Sequence, residues 1–258
     1  FQVRCKLNSM VYAMKVVDKA SIEKFRSMEN IATELSILRT HAEARHPFIL
    51  GLECAFQSDS KLHFVMEYVP GGDLMSLLMK RDILTQPETR FYIAQTVLAI
   101  ESLHKLSYIH RDIKPGNIFL CDGGSGEVFV KLLDFGIAKG VDVPRIDSAT
   151  KTGAMIGSPY YMSPEIFKNK PYNHKSDIWA LGCLVYELCT FRPPFVASNQ
   201  LALARKILHA QPPPLPQSYS MELAFLTAKM LEKDPNARPS AAQVLEYTPV
   251  RQRFESVQ

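Results

Sequence analysis

Residues 108–120 read YIHRDIKPGNIFL, and this segment is the most informative part of the chain. Asp112, Lys114 and Asn117 place a carboxylate, a cation and an amide close together within it. A polar turn before a short strand at Ile118–Leu120 would also give a polar run at this point. Such a turn has no need of this combination of residues, so we interpret the segment as a catalytic loop.

These three side chains have the chemistry that phosphoryl transfer requires. Transfer needs a carboxylate at the attacking hydroxyl, a cation near the moving phosphoryl group and a ligand for a metal ion. Asp112, Lys114 and Asn117 can supply these in that order. Lys114 follows Asp112 by two positions, so both side chains can face one substrate.

Composition limits the class of protein. The 258 residues are 47% hydrophobic, enough for a large core in one or two domains. A net charge of +4 suits phosphate-rich or acidic partners but does not indicate a nucleic-acid partner. The five cysteines form no C-x-x-C pair, which favours an intracellular protein, cytoplasmic or nuclear. We expect no membrane span and no leader peptide.

The N-terminal part of the chain predicts a small antiparallel sheet. The expected strands cover residues 1–4, 10–17, 50–56 and 62–68. The linker VPGG at 69–72 follows, and its Pro and Gly residues mark a change in organisation. We therefore place a lobe boundary between Glu67 and Val69.

One strand of this sheet carries the pattern VYAMK, which ends at Lys15. Apolar residues then recur at helical spacing at Met28, Ile31, Leu35 and Leu38, and Glu34 lies beside that stripe. The pattern resembles the VAIK motif of protein kinases, and this resemblance implies an ion pair between Lys15 and Glu34. The alternatives are an ordinary solvated Lys15 and a helix register in which Glu23 or Glu29 is the partner.

The remainder of the chain predicts mainly helices. Asp73 is expected to cap a short helix, and Thr85–Glu88 is a capping box before a long helix that ends near Leu106. Residues 176–188 are apolar nearly all round, which predicts a buried central helix with Asp177 as its N-cap. Further helices are predicted at residues 202–209, 221–232 and 241–247, the last one capped by Ser240.

A predicted strand at Val128–Leu133 leads directly into the triplet Asp134–Gly136, which reads DFG. A carboxylate at this point can reach a metal ion that bridges phosphates. Three letters alone could be an ordinary turn, but their place downstream of Asp112 strengthens the interpretation. Residues 140–155 are polar and without periodicity, which predicts a flexible loop that phosphate could switch.

In this order the motifs resemble the catalytic domain of eukaryotic protein kinases. The resemblance implies an α+β, two-lobed fold, with an antiparallel-sheet N-lobe at residues 1–66 and a hinge and mainly helical C-lobe at 67–258. It implies Mg-ATP in the cleft and transfer of the γ-phosphoryl group to Ser or Thr of a protein substrate. The alternative is an ATP-binding pseudokinase or scaffold. The N-terminal half resembles the AGC group, particularly its nuclear Dbf2-related branch, and the C-terminal half resembles the NIMA-related group.

The resemblance also implies a role for individual residues, carried over by matching position. The catalytic groups would be Asp112, Lys114, Lys15 and Glu34, and the metal ligands would be Asn117 and Asp134. The ATP pocket would be formed by Val3, Ala13, Lys15, Met66 as gatekeeper, Glu67 and Val69 as hinge, Asp73 as ribose contact and Phe119. A regulatory spine would contain Leu38, Leu52, His110 and Phe135, and Glu165 would pair with Arg238.

The chain departs from the family pattern at its start, because a Gly-rich loop is missing or trimmed. Phe1–Val3 matches only the end of that loop.

A second departure concerns the activation segment. Arg111 and Lys139 match the basic pocket that binds a loop phosphate in this family, but the usual acceptor position holds Ala154. Three explanations are open: a shifted acceptor, a substituted alanine, or activation by a partner rather than by an upstream kinase. The shifted acceptors, in order of preference, would be Thr152, Thr150 and Ser148. We expect a low-activity form with a mobile loop at about residues 140–155.

Overall fold

The computed structural model describes residues 1–25, 28–122, 128–136, 138–140 and 159–247. Within these residues the chain has the expected α+β organisation, with a four-stranded antiparallel sheet followed by mainly helical structure. The strands are β1 (Gln2–Arg4), β2 (Val11–Asp18), β3 (Leu52–Gln57), β4 (Lys61–Glu67), β5 (Tyr108–Ile109), β6 (Ile118–Asp122), β7 (Val128–Leu132) and β8 (Lys139–Gly140). The helices are α1 (Lys19–Phe25), α2 (Met28–Glu43), α3 (Leu74–Arg81), α4 (Gln86–Lys105), α5 (Pro164–Phe167), α6 (His174–Thr190), α7 (Gln200–His209), α8 (Met221–Met230) and α9 (Ala241–Glu246). In these ranges no helix is long and apolar enough to cross a membrane.

The sheet has the strand order β1-β2-β4-β3. In β2 and β4, Ala13 lies opposite Met66 and Lys15 lies opposite Phe64. Directly opposed residues of an antiparallel pair share a face, so these four side chains lie on one side of the sheet. Phe64 and Met66 are buried.

Two expectations about the sheet and its helix need correction. Strand β3 begins at Leu52 rather than at Leu50, because Leu50 N donates to the Leu132 carbonyl of β7 at 3.2 Å. Met28 was expected in the apolar stripe of α2, but it is the first residue of the helix and is 62% exposed. Ile37, which was not in the predicted stripe, is fully buried.

The predicted caps of three helices are present. Asp73 accepts from Ser76 N at 2.7 Å at the start of α3. Glu88 accepts from Thr85 N at 2.9 Å at the start of α4, as the capping box predicts. Ser240 caps α9.

Helix α6 is the buried centre of the helical lobe, and its cap differs from the prediction. Residues 176–189 of α6 are all buried. The helix begins at His174, and Asn173 is its cap, accepting from Lys175 N at 2.9 Å. Asp177 is therefore not the N-cap, because it lies inside the first turn; its carboxylate binds backbone N–H groups of another segment, described below.

Gly140, expected as the first residue of a loop, belongs to a strand instead. Gly140 pairs with Tyr108, and Lys139 pairs with Ile109, in the ribbon of β8 and β5. The rest of the predicted loop, residues 141–155, lies outside the described residues.

A buried ion pair links the helices of the C-terminal part. Arg238 donates to both carboxylate oxygens of Glu165 at 2.8 Å, and both side chains are almost fully buried. Burial alone would raise the pKa of Glu165, but hydrogen bonds and charge from Arg238 lower it below its usual value. Arg238 also donates to the carbonyls of Glu232 and Lys175 at 2.8 Å. The predicted pair of Glu165 and Arg238 is thus present.

We expect Arg238→Leu to lower the free energy of unfolding by about 3–5 kcal/mol, because it leaves the Glu165 carboxylate buried and unpaired. Denaturant unfolding measures this change. The double variant Glu165→Leu/Arg238→Leu should recover part of the loss, since no charge is then stranded. A loss below about 1 kcal/mol for Arg238→Leu would contradict this account of the pair.

His46 follows helix α2 and is held in its neutral form. Its ring packs against His41 and Phe48, with centroid distances of 5.7 and 6.1 Å, and its Nδ1 accepts from Phe48 N at 3.2 Å. Burial, followed by the charges of His41 and Lys131, lowers the pKa of His46 to about 4. Protonation would also remove the acceptor for Phe48 N.

We expect His46 to make stability pH-dependent in mild acid. Between its unperturbed pKa of 6.5 and its folded pKa of about 4, the unfolded chain binds a proton that the folded chain does not. Stability contributed by His46 is therefore present above pH 6.5 and is lost as the pH falls toward 4. The free energy of unfolding, measured with urea at several pH values in this range, should change less with pH in His46→Asn. Asparagine keeps an acceptor but does not titrate. An equal dependence of the unfolding free energy on pH in both proteins would contradict the prediction.

Candidate active site

Lys15 and Glu34 form an ion pair between the sheet and helix α2. Lys15 Nζ donates to Glu34 Oε1 at 2.6 Å and to Oε2 at 2.9 Å. Glu34 is buried, and the alternative partners Glu23 and Glu29 are both exposed. Strand β2 directs Lys15 toward the face that carries Met66, and the helical register of α2 turns Glu34 toward the same side.

The catalytic loop brings its three predicted side chains together. Lys114 Nζ donates to Asp112 Oδ2 at 2.6 Å, and Asn117 Nδ2 donates to the same oxygen at 2.9 Å. A 3₁₀ turn at Pro115–Asn117 folds the chain back, so Asn117 Nδ2 also reaches the Asp112 carbonyl at 2.8 Å. Asp112 is only 9% exposed, so its carboxylate is largely withdrawn from water and is held by two donors.

Hydrogen bonds to the Asp177 carboxylate stabilise the conformation of the catalytic loop. Arg111 has a φ of 69°, a left-handed backbone conformation that is uncommon outside glycine. The Asp177 carboxylate accepts from the backbone N–H groups of His110 and Arg111, both at 2.9 Å, and from His104 Nε2 at 2.8 Å. Burial alone would raise the pKa of Asp177, but the hydrogen bond and charge of His104 lower it, so the carboxylate is ionised.

Sequence reasoning missed His104 and the target of Asp177. The available signal was a carboxylate within an apolar helix, because a buried charge needs several partners. The sequence did not indicate which residues those partners were.

The DFG triplet lies near the ion pair of Lys15 and Glu34. Asp134 follows β7 with a φ of 63°, and its side chain is exposed. A Cβ on Gly136 would lie 3.2 Å from Asp134 Oδ1, 3.5 Å from Lys15 Nζ and 3.7 Å from Glu34 Oε2. The backbone at Gly136 therefore packs directly beside the three charged groups.

The aromatic member of the triplet is buried against the catalytic loop. The rings of Phe135 and His110 meet edge to face, with centroids 5.2 Å apart, and His110 Nε2 lies 3.0 Å from the Leu133 carbonyl. Burial lowers the pKa of His110, which favours its neutral form. Leu38 is buried in the same core, and Leu52 packs against it.

The residues predicted to surround ATP belong to the sheet, to the segment that follows it and to β6. Ala13 faces Met66 across the sheet, and Met66 and Val69 are each 9% exposed. Val3 lies in β1, and Phe119 of β6 forms a β-bridge with Asp73.

Gly71, which the sequence indicated only as part of a linker, and Lys131, which it did not single out, also shape this region. Gly71 N donates to the Leu120 carbonyl at 3.1 Å, and a Cβ at Gly71 would lie 2.2 Å from that oxygen, so only glycine fits. Lys131 of β7 donates to Glu67 Oε1 at 2.9 Å, and Gly51 N donates to the same oxygen at 2.7 Å. Lys131 thus links the end of β4 to β7, and Gly51 links it to the residue before β3.

A cavity of about 950 Å³ lies beside Lys114. Its apolar lining includes Met75, Tyr160, Pro193, Pro194 and Val196. Glu187 also lines it and accepts a hydrogen bond from the Tyr161 hydroxyl, and burial raises the pKa of Glu187. The cavity is large enough to receive side chains of a peptide next to the catalytic loop.

The predicted regulatory residues are only partly described. The Arg111 guanidinium lies 5.4 Å from the ring centroid of Tyr172. Lys139 lies in β8, but its side chain is outside what the structure describes. The positions Ser148, Thr150, Thr152 and Ala154 lie outside the described residues.

The donor set at the mouth of the site fits Mg²⁺. Asp134 offers an exposed carboxylate, and Asn117 donates through its amide nitrogen, which leaves its oxygen for a metal ion. Across the described part of the chain, no cluster of three or more His, Cys, Asp or Glu is arranged to bind a metal. Mg²⁺ suits such a sparse site, because it commonly takes one or two carboxylates and completes its shell with phosphates and water.

Comparison with known proteins places this geometry in a family. The family model described as the protein kinase domain matches residues 1–248. The mouse serine/threonine-protein kinase Nek3 is 40% identical over 206 residues, which cover 79% of this chain and 39% of Nek3. Human serine/threonine-protein kinase Sgk2 is 37% identical over 234 residues, which cover 90% of this chain and 60% of Sgk2. The RAC family serine/threonine-protein kinase homolog of Dictyostelium discoideum is 36% identical over 238 residues, 92% of this chain and 51% of that protein.

The chain therefore spans between 39% and 60% of the length of these three relatives. Nek and Sgk relatives match at similar identity, which agrees with the mixed resemblance of the two halves of the sequence. Because the protein kinase domain matches residues 1–248 of the 258 in this chain, the chain belongs to the protein kinase family.

Proposed function

We propose that this chain is a protein serine/threonine kinase, which transfers the γ-phosphoryl group of ATP to a Ser or Thr hydroxyl of a protein substrate. The observation that carries the proposal is the Asp112 carboxylate, which is bound at 2.6 Å by Lys114 and at 2.9 Å by Asn117. Phosphoryl transfer depends mainly on positioning and charge stabilisation, and these contacts provide both.

In this mechanism Asp112 orients the substrate hydroxyl and accepts its proton late in transfer. Lys114 contacts the same carboxylate, so its positive charge lies where the transferred phosphoryl group would pass. Lys15 would hold the nucleotide phosphates, and Glu34 fixes the Lys15 ammonium through two short hydrogen bonds. These chain residues position the two reactants before the reaction begins.

The nucleotide would lie between the sheet and β6. Val3, Ala13 and Phe119 would enclose the adenine, Met66 would limit the back of the pocket, and Glu67 and Val69 would form the hinge. Asp73 would contact the ribose through the oxygen that does not cap α3. Asn117 and Asp134 would hold Mg²⁺, which when bound supplies positive charge that offsets the negative charge of the phosphates.

The division into an N-lobe at residues 1–66 and a C-lobe at 67–258 belongs to the same proposal. It is supported by the end of β4 at Glu67, after which the chain is mainly helical.

The pseudokinase alternative has no specific observation in its favour. A domain that only binds ATP has no need to keep Lys15, Glu34, Asp112, Asn117 and Asp134 together, yet all five are present. Nek3 and Sgk2 are named as serine/threonine-protein kinases, which supports Ser or Thr as the acceptor.

The setting and control of the enzyme are also proposals. The five cysteines are free thiols, which supports an intracellular protein in the cytoplasm or nucleus. Arg111 and Lys139 would bind a phosphate on Thr152, Thr150 or Ser148, added by an upstream kinase, or an activating partner would take its place.

We expect Asp112→Asn to lower kcat by about 10²- to 10⁴-fold, because the substrate hydroxyl loses its proton acceptor. ATP affinity should change little, since Asp112 does not bind the nucleotide. A radiolabelled ATP assay on a mixed peptide library measures the first effect, and a thermal-shift titration with Mg-ATP measures the second. Phosphotyrosine as the main product of the unmodified chain would contradict the Ser/Thr assignment.

We expect Asp177→Asn to lower kcat by about 10- to 100-fold through misplacement of Asp112. Whichever way the amide turns, its NH₂ group faces a donating N–H of His110 or Arg111, so a buried donor loses its acceptor. Steady-state kinetics measure the effect. Asp234→Asn is the matched control, because Asp234 accepts from Asn236 N at 3.0 Å on the surface and asparagine can do the same. Equal activity of the two variants would contradict the positioning role of Asp177.

A further inference from the structure

Helix α2 is joined to the helical lobe by two side-chain hydrogen bonds. Ser36 Oγ lies 3.2 Å from Tyr108 OH, and His41 Nε2 lies 3.2 Å from Ser102 Oγ. Tyr108 lies in β5 and Ser102 lies in α4, so both bonds connect α2 to elements that follow the sheet. Glu34 is on the same helix, two residues before Ser36.

The contact of His41 has a defined direction. His41 Nδ1 lies 2.8 Å from the Ile37 carbonyl, which can only accept, so Nδ1 carries the proton. Nε2 is then the acceptor for the Ser102 hydroxyl. His41 is 3% exposed, and burial lowers its pKa, which favours the neutral ring that this arrangement requires.

Tyr108 connects α2 to the start of the catalytic loop. Its ring packs against the hydrophobic core, and its backbone pairs with Gly140 of β8. The catalytic loop begins two residues later at His110. Neither of the two hydrogen bonds involves residues 141–158.

Two further directional contacts add to the other forces on α2. Apolar burial of Ile37 and Leu38 is non-directional. The ion pair joins a Glu34 side chain that is 3% exposed to a Lys15 side chain that is 36% exposed, so its lysine end is still partly in water. With about 3.6 residues per turn, His41 lies on the side of Glu34, whereas Ser36 lies on a different side. Two bonds at different angles resist both rotation and outward movement of the helix.

We propose that Tyr108 and Ser102 are positioning residues, which anchor α2 through Ser36 and His41 and so keep Glu34 in contact with Lys15. The four residues of the anchor lie outside residues 141–158, and the backbone of Tyr108 pairs with Gly140. The proposal rests on the proposed kinase function, because the Lys15–Glu34 pair is assigned its role there.

The test is the double variant Tyr108→Phe/Ser102→Ala. It removes the two hydroxyls but keeps the Tyr108 ring and leaves every proposed catalytic residue intact. A smaller fraction of molecules would then hold Glu34 in place, so we expect kcat to fall about three- to tenfold while KM for ATP changes less than about twofold. Hydrogen exchange of the amides in Met28–Glu43 should become faster by a similar factor, about three- to tenfold.

A second background separates positioning from general stability. In Glu34→Gln the anchor has no ion pair to protect, so adding the double variant should cause no further loss of kcat. The matched control is Tyr219→Phe, which removes a hydroxyl that donates to the Leu84 carbonyl at 2.6 Å. This control should lower the unfolding temperature without changing exchange in α2.

The outcomes are distinct. Unchanged kcat and unchanged α2 exchange in the double variant would overturn the anchor, and so would a full loss of kcat that persists in Glu34→Gln. An inactive unmodified chain would instead contradict the proposed kinase function. In that case faster α2 exchange in the double variant would support the anchor, and unchanged exchange would overturn it.

Discussion

The buried carboxylate of Asp177 is the interaction on which the catalytic loop depends. It accepts the N–H groups of His110 and Arg111 at 2.9 Å and the imidazole of His104 at 2.8 Å. A residue in the left-handed conformation, such as Arg111, is stable only where its surroundings compensate for the strain. Asp177 can do this because it lies in the central helix α6, which is buried and therefore rigid. The position of Asp112 thus follows from the packing of the helical lobe.

The charged groups above the loop depend on several elements at once. Lys15 comes from β2 and Glu34 from α2, and Gly136 of the DFG segment lies so near them that a Cβ there would be in van der Waals contact with both. Because the lysine end of this pair is partly exposed while Glu34 is buried, we infer that the pair depends on the position of α2. The hydrogen bonds of α2 with α4 and β5 support this inference, because they can hold the helix in that position.

The two lobes are also tied together away from the catalytic groups. Lys131 of β7 and Gly51 both donate to Glu67 Oε1, at the point where β4 ends. Ile49 forms a parallel bridge with Leu132 of β7, which leads toward Asp134. Strand β7, which precedes the proposed metal ligand Asp134, is therefore connected to the residues before β3 by backbone and to the end of β4 by charge. This arrangement explains why β3 begins at Leu52, since the residues before it pair with β7 instead.

Local features of this protein were determined by the sequence itself. The caps at Asp73 and Ser240 and the grouping of Asp112 with Asn117 depend on contacts within a few residues, which spacing and residue type reveal. The resemblance to the kinase family also made one long-range contact predictable, the pair of Lys15 and Glu34. Only the tertiary structure decided that Asp177 serves the catalytic loop rather than its own helix, because its partners lie 66 and 67 residues away. A sequence shows that a buried charge needs partners, but only folding brings those partners to it.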